Sequence, residues 1–154
     1  SFSYLETMPT HMPDAFEAGT LNLPGIIGLN EGLSYIESVG MKNIHNHELT
    51  LTKTFLEGLR SITGINIIGK QDIQDRTAVV SITIDGMDPA SRAYELESTY
   101  HIMTRVGLHC APRAHQTLGT YPEGTVRFSF GYANTHKDVK YALSALHRIV
   151  RNTK

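Results

Sequence analysis

The residue best suited to covalent chemistry is Cys110, the one cysteine among 154 residues. It lies in the run Arg105-Val106-Gly107-Leu108-His109-Cys110-Ala111-Pro112, a polar segment bearing glycine and proline. Cysteines kept for packing sit in apolar stripes, and this one does not. Arg105, His109 and Arg113 are close in sequence and would offer positive charge to a thiolate, the form that attacks electrophiles. Arg127 is the second candidate. It stands between Val126 and Phe128 in an alternating stretch, so it faces away from the apolar side. A guanidinium there reads as a two-pronged binder of a substrate carboxylate, or as half of a structural ion pair on an exposed sheet face. The residues alone leave both open. His101, His109, Cys110 and His115 invite a metal reading, but their spacing matches no zinc pattern and a second cysteine is missing. A protease-like dyad would need His109 or His115 as the base. Successive strand residues point to opposite faces, which argues against His109, and His115 would reach Cys110 only through a turn.

These residues need elements to hold them. Pro24 sits where a first helical residue often sits, and Ile26, Leu29, Leu33 and Ile36 recur at helical spacing until Gly40. Gly25, Gly28 and Gly32 lie on that helix. Each costs roughly 1 kcal/mol against alanine, so they mark either close approach of another backbone or a weak helix. A second helix is expected from Met41 to about Ile62, with Ile44, Leu51, Phe55, Leu59 and Ile62 as its apolar stripe and Gly64 as its stop. A short strand follows at Asn66 to Ile68. A better one runs from Thr77 to Ile84, where Ala78, Val80, Ile82 and Ile84 make one apolar face.

Asp88 then caps a helix with Pro89 in its first turn, and Ala93, Leu96, Tyr100 and Met103 form its inner face. A short strand around Val106 to Leu108 leads into a loop that carries Cys110. Val126, Phe128 and Phe130 line the last strand. Thr135 and Asp138 form a capping box before a closing helix whose stripe is Val139, Leu143, Leu146 and Val150. The order is helix, helix, strand, strand, helix, strand, strand, helix. It predicts an α+β domain with helices packed on a small, mainly antiparallel sheet. Residues 1–23, with Pro9, Pro13 and Gly19, read as an extended arm that lies against something else, and residues 24–154 as one domain. The arm is expected to be disordered or to pack on another copy, and the domain to leave apolar surface exposed.

Composition narrows the function. The 14 basic and 15 acidic residues give a formal net charge of -1, which offers no electrostatic grip on nucleic acid or an anionic membrane. A chain with a single cysteine forms no internal disulfide, so a reducing, cytoplasmic setting is the default. No apolar run approaches the roughly 20 residues that span a bilayer.

Three runs taken together carry a resemblance: Phe16-Glu17-Ala18-Gly19-Thr20, the Arg105 to Pro112 run, and Gly124-Thr125-Val126-Arg127-Phe128-Ser129 with Asn134-Thr135 downstream. In order and spacing they resemble the class V aminotransferase family, in its cysteine desulfurase and selenocysteine lyase branch, from about Phe16 to Val150. The resemblance implies the small C-terminal domain of a pyridoxal 5'-phosphate (PLP) enzyme that works as a homodimer. It implies that Cys110 accepts sulfur from L-cysteine as a persulfide, releasing alanine, and passes it to an acceptor protein, with iron–sulfur cluster assembly as the family-level outlet. It matches Arg127 to the arginine that binds the substrate carboxylate and Arg105 to a further active-site arginine. Thr20, with Gly19, matches the position that reaches the PLP phosphate of the partner subunit.

The chain also departs from the family pattern. The family's cofactor lysine sits in a Ser-x-His-Lys context upstream of the Phe16 run, and Lys42, Lys53, Lys70, Lys137, Lys140 and Lys154 all lack it. The chain is therefore expected to be the C-terminal part of a longer enzyme and to be inactive alone, with no cofactor bound to it. Leu108 stands where many relatives carry a second histidine, which leaves cysteine against selenocysteine preference open. The alternative from another class is a non-catalytic α+β binding domain in which Cys110 is structural.

Overall fold

The fold is described from a computed structural model, over residues 7–17 and 19–152. Residues up to Met41 and residues from Lys42 onward form two compact units. The first holds a short 3-10 turn, Asp14–Phe16, and helix α1, Leu23–Val39. The Asn22 side chain accepts a hydrogen bond from the Gly25 N–H, Pro24 sits in the first turn, and Gly40 ends the helix at φ +87°. No residue of α1 is buried. Leu23, Ile26, Ile27, Leu29 and Leu33 are all exposed. A Cβ added at Gly28 or Gly32 would meet nothing within 4 Å among the described residues. The first 6 residues of the expected arm, and Ala18, lie outside the described residues.

The second unit carries the core. Helix α2 spans Met41–Arg60, strand β1 Ile65–Ile68, strand β2 Val79–Ile84 and helix α3 Pro89–Tyr100. Strand β3 spans Arg105–Gly107, helix α4 Pro112–Leu118, strand β4 Thr125–Ser129 and helix α5 His136–Asn152. The strands form one sheet in the order β1-β2-β4-β3, antiparallel at every step. The α+β architecture is thus the expected one.

One face of the sheet is apolar. Val80, Ile82, Ile84, Val126 and Phe128 pack there against Leu51, Phe55, Leu56 and Leu59 of α2, Leu96 of α3, and Val139, Leu146 and Ile149 of α5. Phe55 is fully enclosed, with its ring 5.0 Å from both Phe128 and Phe130. The other face carries Ser81, Thr83, Thr125, Arg127 and Ser129 in the alternate positions.

Three expectations need correction. Met103 does not face inward but is 86% exposed, because His101 takes a left-handed conformation at φ +55° and ends the helical register; Ile102 packs on the core instead. Phe130 still packs on the core but falls beyond β4. The stretch after Cys110 is not a plain loop but contains α4, bounded by Pro112 in its first turn and Gly119 at φ +70°.

The capping box at α5 forms as expected. The Asp138 carboxylate accepts from the Thr135 N–H at 2.7 Å and from its hydroxyl at 3.0 Å. The Asp138 N–H reaches back to the Thr135 hydroxyl at 3.4 Å. Those bonds, the backbone one foremost, hold the Asp138 carboxyl below its ordinary value of 3.8. A depressed carboxyl stabilises the fold above its unfolded pKa and loses that contribution as pH falls through the folded value. Asp138→Ala should therefore lower the urea midpoint at neutral pH. Its gap from the parent chain should close as urea titrations are carried below the ordinary carboxylate range.

Candidate active site

The sheet's polar face brings two guanidinium groups together. Arg105 on β3 and Arg127 on β4 are direct partners across the antiparallel pair, so their side chains leave on the same face. Ser81 of β2 flanks Arg127 on the other side. Like charges directly opposite one another are destabilising unless an anion sits between them. The Arg127 side chain is half-buried, and its Nε is enclosed with no hydrogen-bond partner among the described residues. An enclosed, unbonded guanidinium nitrogen is costly, so the arrangement suits an anionic acceptor such as a carboxylate. The alternative of a structural ion pair finds no support here. The three salt bridges among the described residues involve His11, Lys53 and Arg92.

Cys110 is exposed at the end of β3's outgoing segment, and Arg105 Nη2 donates toward its sulfur at 3.8 Å. The backbone there is unusual. His109 and Cys110 follow one another at φ +52° and +61°, a region costly for residues with a Cβ. Gly107, at φ +98°, turns the chain out of the strand.

His109 turns back on the strand, with its Nε2 3.2 Å from the Arg105 carbonyl oxygen. A carbonyl only accepts, so Nε2 carries the hydrogen. Removal from water lowers the His109 pKa from its ordinary 6.5; that carbonyl raises it, and the charges of Arg127 and Arg105, with the His115 ring alongside, lower it further. His109 is thus neutral near neutral pH. Below pH 6.5 the unfolded chain takes up this proton before the folded one, so the contribution to stability falls with pH down to the folded value. In a histidine NMR titration, His109 should have a midpoint below that ordinary value. A midpoint at or above it would place the ring outside this cluster.

The structure therefore gathers Cys110, Arg105, Arg127 and His109. Thr20 and Gly19 lie in the first unit. There Gly19 stands at φ +84° and Thr20 is exposed. The downstream residues of the third run serve local structure. The Asn134 side chain accepts from the Gly131 N–H at 2.9 Å, the Asn134 backbone carbonyl oxygen lies 2.9 Å from His47 Nε2, and Thr135 caps α5. Among the described residues no three histidine, cysteine or acidic side chains gather as metal ligands, and no helix is long and apolar enough to cross a membrane.

The sequence reading missed α4 and, with it, the buried pair His115 and Thr120, whose Nδ1 and Oγ1 lie 2.7 Å apart. The signal was present as Pro112 and Gly119 bracketing one short helix.

Comparison with known proteins agrees with this layout. The family model for Aminotransferase class-V matches residues 2–142. A probable cysteine desulfurase of Methanothermobacter thermautotrophicus is 36% identical over 138 residues, covering 89% of this chain and 34% of that protein. One of Pyrococcus abyssi is 36% identical over 143 residues, covering 93% and 35%. The solved apo structure of a cysteine desulfurase from Thermococcus onnurineus superimposes with a TM-score of 0.84 at 36% identity, over 93% of this chain and 35% of that one. The chain thus spans about a third of the length of these relatives. A family match that runs through the arginine pair, the cysteine turn and the sheet that carries them leaves one assignment: this chain belongs to the class V aminotransferase family.

Proposed function

We propose that this chain is the C-terminal part of a PLP-dependent cysteine desulfurase, supplying the sulfur-accepting thiol and the carboxylate anchor. The observation that carries the reading is the placement of Arg105 between two roles: opposite Arg127 across the sheet and 3.8 Å from the Cys110 sulfur. An α-amino acid that rests its carboxylate on Arg127 has its side chain free to extend toward Cys110. The sulfur of L-cysteine is the group such a geometry would present. Residues 24–154 are then the small domain, and residues 1–23 an arm that belongs with a larger one.

The enclosed, unbonded Arg127 Nε fits the anionic end of an amino-acid substrate. The described lysines lie on α2, on α5 and between β1 and β2, so none joins the arginine pair. The rest of a full-length protein would have to supply the lysine. PLP, when bound, supplies an electron sink that renders the substrate sulfur open to attack. Thr20 and Gly19 would hold the PLP phosphate of the second subunit in a homodimer. Cys110, as the thiolate, forms the new S–S bond as the substrate C–S bond breaks, so that alanine leaves and a persulfide remains. Arg105 offers its positive charge to the attacking sulfur. Exposure of Cys110 leaves that persulfide open to a cytoplasmic acceptor protein.

The test is alanine release from L-cysteine. A full-length protein with bound PLP should release alanine, and Cys110→Ala should abolish this. The 154-residue chain mixed with PLP should release none above its own Cys110→Ala control. Equal alanine production by the full-length protein and its Cys110→Ala variant would refute the reading.

A further inference from the structure

His115 is the one buried histidine among the described residues, and the sulfur chemistry gives it no task. It stands on the short helix α4, two residues beyond Arg113 and five beyond Cys110. Its partner is also enclosed. Thr120 Oγ1 lies 2.7 Å from His115 Nδ1, and the Thr120 N–H donates to the His115 carbonyl at 2.9 Å. Side chain and backbone thus tie the same two residues, closing the helix over Gly119. Buried polar pairs satisfied in this way are rigid, because breaking either bond leaves a desolvated group without a partner.

The imidazole of His115 packs against that of His109, with ring centroids 5.7 Å apart. His109 in turn donates to the Arg105 carbonyl, and the Arg105 guanidinium reaches the Cys110 sulfur. A chain of contacts therefore runs from an enclosed pair to an exposed thiol. Such a support is physically required, because His109 and Cys110 occupy two successive left-handed conformations. Left-handed backbone is strained for residues that carry a Cβ and persists only where the surroundings over-determine it.

We propose that His115 and Thr120 are positioning residues: through the His109 ring they fix the turn that holds the Arg105 guanidinium against Cys110. In taking Cys110 as the reacting group this rests on the desulfurase reading. Its test reads thiol alkylation rather than turnover, so either can fail while the other stands.

Cys110 is the chain's one thiol, so its alkylation by iodoacetate, an anion, and by iodoacetamide, its neutral counterpart, can be compared directly at low salt. A guanidinium fixed beside the sulfur favours the anion, and Arg105→Gln should lower the iodoacetate-to-iodoacetamide rate ratio by roughly 3- to 10-fold. Thr120→Val, which keeps the shape and loses the hydroxyl, should lower the ratio comparably, and Thr120→Ser should retain it. His115→Gln, which keeps a polar group but removes the ring, should behave like Thr120→Val and carries the test if that variant does not fold. Circular dichroism identifies the folded variants. An unchanged ratio in folded Thr120→Val or His115→Gln would overturn the proposal, as would an unchanged ratio in Arg105→Gln.

Discussion

Exchanging Arg127 for leucine in the full-length protein should cut kcat/KM for L-cysteine by roughly 100-fold, through loss of about 3 kcal/mol of charge-assisted binding. The geometry sets that scale. The Arg127 Nε is enclosed and unbonded, so a bound carboxylate would satisfy a group that is otherwise costly. Lysine should not rescue, because an ammonium cannot reproduce the paired donors of a guanidinium fork. Stability should move the other way. Arg105 faces Arg127 directly, so removing one of two like charges relieves a repulsion, and the melting temperature should hold or rise. Lost activity with undiminished stability separates an anion-binding arginine from a structural one. A fall in melting temperature with unchanged kcat/KM would assign Arg127 to the fold alone.

Gly124→Ala should be the most damaging single-methyl change in the second unit. Gly124 is buried at φ +80°, and a Cβ there would stand 2.2 Å from the backbone carbon and oxygen of Gly107. Backbone cannot swing away as a side-chain tip can, so β3 and β4 would have to part at that end. Strain of this kind costs about 2–4 kcal/mol, comparable with emptying part of the core. The damage would also fall at the site, because Gly107 lies three residues before Cys110 and its φ of +98° starts the turn. Gly58→Ala is the informative comparison. The nearest atoms a Cβ would meet there are the two methyls and the Cγ of Leu143, a side chain rather than backbone, and a side chain can shift. Urea titration should show Gly124→Ala well below Gly58→Ala, and equal midpoints would contradict the clash.

How far the sequence alone reached depends on which forces act locally. Period-two alternation placed Val80, Ile82 and Ile84 on one face, and all three are buried. Helical spacing did the same for Leu51, Phe55, Leu59 and Leu146. Caps were legible because they need particular residues at fixed offsets, and Asp88 and Asp138 both accept the bonds assigned to them. Where a local conformation broke the period, the pattern misled. His101 at φ +55° is not a glycine and gave no sign that the helix would stop before Met103.

The polar face shows the same division. Alternation alone turned Arg127 away from the core. Its pairing with Arg105 depends on strand register, fixed by contacts between residues far apart in sequence. The turn at Cys110 was legible as a departure from strand, but not its two successive left-handed residues, since neither is glycine. His115 looked like one of several scattered histidines, since its burial follows from the folding of α4 against the cysteine turn.

The most direct measurement is made on the full-length protein with PLP, stopped after one turnover with L-cysteine and digested without reducing agent. Mass spectrometry of the Cys110 peptide should find one added sulfur atom, which a reductant such as dithiothreitol removes. An unmodified Cys110 peptide alongside a stoichiometric yield of alanine would mean that the sulfur leaves by another route and would contradict the account.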